Sequence, residues 1–81
     1  MRKRSVTLNG HRTSVSLEPE FWEVLARIAA ADGKSLNALV AEVDAARVKA
    51  APARGLSSAL RVFVLKHASG QGEHGPPNAS N

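Results

Sequence analysis

The stretch SVTLNGHRTSVSLEPEFW constrains the fold more than any other part of this chain. Val6 and Leu8 alternate with Ser5 and Thr7. Beyond Asn9-Gly10, Thr13, Val15 and Leu17 alternate with Arg12, Ser14 and Ser16. Successive side chains of a strand point to opposite faces, so this spacing predicts extended structure with one apolar face. Asn-Gly is the strongest short hairpin signal, because a type I′ turn needs positive φ at both central residues. Two arrangements follow. The run folds back on itself, or residues 11–17 stand as a single strand whose exposed edge recruits another chain. An isolated two-stranded hairpin is marginal in water, and residues 11–17 are the stronger of the two runs.

Size sharpens the choice. A chain of 81 residues is at most one small domain, and a domain so short is marginal on its own core. Small scaffolds draw on disulfides, metals or oligomerisation. There is no cysteine, which removes disulfides and thiolate metal sites and gives no sign of export. His11, His67 and His74 match no zinc spacing. No metal or other cofactor is therefore expected, and oligomerisation is the remaining route. No apolar run approaches the roughly 20 residues of a membrane span. The N-terminus lacks the apolar segment of a signal peptide, so a cytoplasmic location is expected.

The net charge of +4 and pI of about 10.4 suit an anionic partner. Arg2, Lys3, Arg4 and Arg12 all lie in the first twelve residues. Residues 1–10 read as a basic N-terminal arm, solvated in the plainest reading, with a short extra strand as the alternative.

Helical periodicity begins at Glu18-Pro19-Glu20, where proline suits the first helical position and carboxylates complement the helix dipole. Phe21, Trp22, Leu25, Ile28 and Ala29 recur at helical spacing, and Gly33 fits a C-terminal cap. Ser35 fits an N-cap for a second helix with an apolar stripe of Leu36, Leu39, Val40, Val43 and Ala46. Pro52 and Gly55 break it. Residues 56–68 form a third apolar segment, read as helix despite the β-prone Val62-Phe63-Val64-Leu65. Residues 69–81 have little to bury and are expected to be a disordered tail. No internal repeat emerges from this reading.

The order strand, helix, helix resembles the ribbon-helix-helix (Arc/MetJ-like) family. The resemblance rests on GHRTSVSLEPEFW, the Gly33-Lys34-Ser35 turn and the apolar second helix, and covers residues 11–50. The added LSSALRVFVLKH resembles a subgroup with a C-terminal extension. The resemblance implies a mainly α fold in which each chain gives one N-terminal strand. Two chains pair these strands into a ribbon over intertwined helices, here with a third C-terminal helix. The dimer core would hold Val15, Leu17, Phe21, Trp22, Leu25, Leu39 and Val43, too many apolar groups for two short helices to bury alone.

The same resemblance implies DNA binding. The outward strand residues Arg12, Ser14 and Ser16 would read base edges in the major groove; arginine grips guanine O6 and N7, and serine specifies weakly. The start of the second helix, with Lys34, Ser35 and Asn37, would hold a phosphate at its positive dipole end. Arg2, Lys3 and Arg4 would add phosphate contacts. The expected function is a homodimeric transcriptional regulator, a repressor occupying an operator on double-stranded DNA. Two alternatives stay open. Arg12, Ser14 and Ser16 suit the carboxylate of a small-molecule effector as well, or the C-terminal segment serves an antitoxin-like protein partner. Trp22 reads as core, Asp44 and Arg47 as a surface ion pair, His11 as an ordinary strand residue, and Glu18 and Glu20 as helix-start acids. No nucleophile–base–orienter set appears, and an enzyme is not expected.

Overall fold

In a computed structural model of the chain, which describes residues 1–74 and the side chains of residues 1–68, Asn9 and Gly10 both adopt positive φ, 53° and 80°. These are the angles of a two-residue hairpin loop. Strand β1 (Arg2–Leu8) pairs antiparallel with β2 (His11–Leu17), from Arg2 opposite Leu17 to Leu8 opposite His11. The strand pairing expected between two chains is thus made inside one. A two-residue loop closes at small entropic cost, which favours the pairing of β1 with β2. Residues 2–8 are strand rather than arm.

Helix α1 (Pro19–Ala31) starts at Pro19 with Glu18 at the N-cap. It stops where Gly33 takes φ 69°. Helix α2 (Leu36–Ala50) is capped by Ser35, whose Oγ accepts from the Ala38 N–H at 3.0 Å. Helix α3 runs from Leu56 to His74. It passes the boundary at residue 68 beyond which a disordered tail is expected; no proline interrupts the chain before Pro76. The rest of that expected tail, residues 75–81, lies outside the described residues.

One core joins all five elements. Val6, Val15 and Leu17 come from the hairpin, and Trp22, Leu25, Ile28 and Ala29 from α1. Leu39, Val40 and Val43 come from α2, and Leu60 and Val64 from α3; all are buried. The residues expected at a dimer core therefore pack within one chain, with Phe21 half-buried at the margin. The expectation counted two helices and omitted what β1 and α3 supply. Each fully buried large side chain contributes roughly 1.5–3 kcal/mol. Trp22 is core, as read from sequence, and its indole is also tethered. Its Nε1 donates to the Arg2 carbonyl at 2.8 Å, and the Arg4 guanidinium sits 5.6 Å from its ring centroid.

Two substitutions test this frame. Leu60→Ala empties a fully buried site and is expected to cost roughly 2–5 kcal/mol. Gly10→Ala meets no atom within 4 Å, so only its positive φ is strained, at about 1–2 kcal/mol. Chemical denaturation of both variants checks these values; an unchanged midpoint for Gly10→Ala would mean that the turn does not form.

Candidate nucleic-acid interface

Directly opposed residues of an antiparallel pair share a face. The buried Val6, Val15 and Leu17 mark the helix-facing side. The register then places Lys3 with Ser16, Ser5 with Ser14, and Thr7 with Arg12 on the opposite side. All six are exposed except the half-buried Ser16. Arg12, Ser14 and Ser16 thus share one outward face, while Lys3, Ser5 and Thr7, which the sequence reading did not assign to it, complete the surface. The signal for them was present, since a two-residue loop at Asn9-Gly10 fixes which residues face each other.

The basic set Arg2, Lys3 and Arg4 is divided by the same alternation. Lys3 faces outward, whereas Arg2 and Arg4 belong to the side that carries Trp22. Arg2, Lys3 and Arg4, expected together to add phosphate contacts, therefore stand on two faces of the hairpin, all three exposed: strand geometry sends neighbouring residues to opposite faces.

The start of α2 is also more occupied than expected. Asn37 is exposed, but its amide is already engaged. The Thr7 N–H donates to Asn37 Oδ1 at 2.8 Å, and Asn37 Nδ2 donates to the Thr7 carbonyl at 2.9 Å. A carboxamide matches the outward donor and acceptor of a strand edge, and here it fastens β1 to α2. Finding this from sequence would have required the tertiary juxtaposition of residues thirty positions apart. Ser35 is engaged as a cap. The half-buried Lys34 pairs with Glu42, Nζ to Oε2, at 2.6 Å, and that hydrogen bond holds its ammonium above the ordinary lysine range.

Helix α3 braces the other strand. Ser57 Oγ donates to the Ser16 carbonyl at 3.3 Å, and Arg61 Nε donates to Glu18 Oε1 at 3.0 Å. The Arg61 guanidinium also lies 5.8 Å from the Phe21 ring centroid. Asp44 and Arg47 are no surface pair. Asp44 is only 9% exposed, and Arg47 bonds its carboxylate and the carbonyls of Pro52 and Arg54, tying α2 to the following loop.

Glu18 supplies a pH test. A backbone hydrogen bond, then Arg61, holds its carboxyl below the ordinary 4.5. A depressed folded-state value stabilises the fold above the unfolded value and loses that contribution as pH falls through the folded one. Wild type should therefore lose stability below pH 4.5 more steeply than Glu18→Gln. Urea midpoints across the acid range check this, and parallel profiles would remove the Glu18–Arg61 pair from the account.

An apolar groove of about 450 Å³ lies between α2 and α3, lined by Leu39, Val43, Ala46, Val62 and Phe63 among others. Arg12, Ser14 and Ser16 are not part of it; they stand on an open sheet face. Among the described residues no cluster of His, Cys, Asp and Glu could hold a metal ion, and no helix is long and apolar enough to cross a membrane.

Comparison with known proteins adds one finding. A family model described as a ribbon-helix-helix domain matches residues 1–68, the hairpin included. No curated protein and no solved structure matches the chain. The matched span holds β1, β2, α1, α2 and the first part of α3, to residue 68. Members of this family are in general DNA-binding regulators that dimerise. With its ribbon, its two capped helices and a match over most of its length, the chain belongs to the ribbon-helix-helix family.

Proposed function

We propose that this chain is a sequence-specific, cytoplasmic DNA-binding regulator that represses by occupying an operator. One observation carries the reading. The outward face of the hairpin holds only cations and hydroxyls, and residues 1–17 contain no carboxylate. Such a face suits a polyanion, and a two-stranded ribbon is of the width that the major groove admits. Arg12 takes guanine O6 and N7, and Ser14 and Ser16 make adaptable contacts to neighbouring bases. Lys34 leaves Glu42 for a phosphate beside the N-terminus of α2, an exchange that the solvent-exposed Glu42 carboxylate permits at little cost. The activity is binding rather than catalysis. A carboxylate sensor built on Arg12, Ser14 and Ser16 lacks the concavity that small ligands require. In an antitoxin-like use, a partner would have to dock on the outer side of α3, since Leu60 and Val64 are committed to the core.

The expected result is selection of discrete fragments from a genomic library at fixed moderate salt. Arg12→Ala should keep the fold and lose roughly 1–3 kcal/mol for each base contact. Lys34→Ala should weaken specific and random DNA alike. Log affinity should fall linearly with log salt. If wild type selects no fragment above background, the DNA reading is wrong.

The homodimer belongs to the same proposal, seated on the helical layer. A second hairpin added to the β2 edge would give four strands spanning roughly 14 Å, wider than a major groove of about 12 Å. The α2–α3 groove leaves the ribbon free, and Leu65 stands exposed on α3. Sedimentation should show wild type at dimer mass and Ala46→Glu, an exposed position in the groove, as a folded monomer. A wild-type monomer would remove the dimer and leave the ribbon assignment standing.

A further inference from the structure

The two strands carry related sequences. KRSVTL at residues 3–8 and RTSVSL at residues 12–17 align at an offset of nine residues. Ser, Val and Leu are identical, Lys stands for Arg, Thr exchanges with Ser, and only Arg4 and Thr13, on the inner face, are unlike. This is an internal repeat, contrary to the reading of the sequence alone. The register makes it a symmetry. Ser5 lies opposite Ser14, and a local two-fold axis through that pair exchanges Lys3 with Arg12, Thr7 with Ser16, Val6 with Val15 and Leu8 with Leu17. On the inner face Val6 and Val15 are each 4% exposed, while Leu17 is fully buried and Leu8 half-buried. Outward halves match, each presenting one cation, one central serine and one further hydroxyl.

Apolar alternation explains the inner face of a hairpin but not the outer one. Outward positions of a solvated strand accept any polar residue, acids included. Here the six positions repeat in order, from cation to serine to hydroxyl. Lys3 and Arg12 have no ion-pair partner among the described residues, whereas Lys34, Arg47 and Arg61 each have one. β1 is also held in place, since Asn37 clamps the backbone of Thr7. Base reading needs such fixed placement, with side chains carried on a supported element.

We propose that Lys3, Ser5 and Thr7 form a second base-reading triplet, so that one chain presents a complete two-fold ribbon and recognises a short inverted repeat of double-stranded DNA. The inference rests on the DNA reading above. Its chemistry is that of the first triplet, for lysine like arginine takes guanine O6 and N7. Lys3 and Arg12 sit at opposite ends of the face, four residue steps apart, or roughly 14 Å along the ribbon. That spans about four base-pair steps of 3.4 Å. The recognised site should carry two guanines on opposite strands at about that separation, related by the dyad of the site.

Selection from a random duplex pool with the full chain tests this. Wild type should enrich an inverted repeat. Lys3→Ala should relax preference at one end and Arg12→Ala at the other, each losing roughly 5–150-fold in affinity for the selected site. The exchange Lys3→Arg with Arg12→Lys should retain the site. Thermal melting of the variants should match wild type, since these side chains point away from the core. If Arg12→Ala changes the selected site while Lys3→Ala and Thr7→Ala leave it untouched, the second triplet is refuted and the DNA reading survives. Enrichment of nothing by wild type overturns both.

Discussion

Everything in this fold depends on the positive-φ pair Asn9-Gly10. It turns β1 back onto β2, and the register it sets decides which side chains meet the helices and which meet solvent. A slip of one residue would move Val6 outward and Ser5 and Thr7 inward, against hydrocarbon. The penalty for burying those hydroxyls without partners, together with the loss of Val6 from the core, locks the register. The polar face is therefore a by-product of the same energetics that fill the core.

A hairpin of this size does not stand alone, and the chain supplies supports at both edges. Asn37 saturates the outward N–H and C=O of Thr7, and Ser57 reaches the Ser16 carbonyl. Beneath them α3 brings Leu60 and Val64 into the core and ties itself to the strand–helix junction through Arg61 and Glu18. In a ribbon assembled from two chains, the second strand and the second set of helices arrive by association. Here β1 and α3 already lie against β2 and the core within one chain, and the two-residue loop holds β1 beside β2 at small entropic cost.

Much of this was legible in the sequence. Period-two alternation placed the strands, the Glu18-Pro19 and Ser35 signals placed two helix starts, and the apolar spacing named most of the core. Arg12, Ser14 and Ser16 could be assigned to one face from alternation alone. Three things escaped. The hairpin and the single strand were both compatible with Asn9-Gly10, and a count of buried area that left out α3 and Val6 gave the hairpin too little weight. Asn37 looked like a helix-start residue facing an anion, since nothing local shows that a strand edge lies within its reach. The repeat was hidden because Lys/Arg and Thr/Ser exchanges mask identity, and only the register shows that the matching positions are related by a two-fold axis.

The division of labour on the hairpin follows from what each residue type can do. Serine and threonine accept and donate at several bases, so a face of hydroxyls discriminates little by itself. On the proposed reading, the cations at its two ends would carry most of the energy, and their placement would carry the information. Position is precise only if the strands cannot slide or twist apart, which returns the burden to Val6, Val15, Leu17 and the Asn37 clamp. A substitution at Asn37 would touch no nucleic acid in this arrangement. It would loosen β1 at Thr7 and so blur the geometry of Lys3 relative to Arg12, weakening discrimination between sequences more than overall attraction to DNA. Affinity for a polyanion survives disorder of a charged strand, because counterion release depends on charge. Selectivity does not, because each bidentate contact needs its donor in one place.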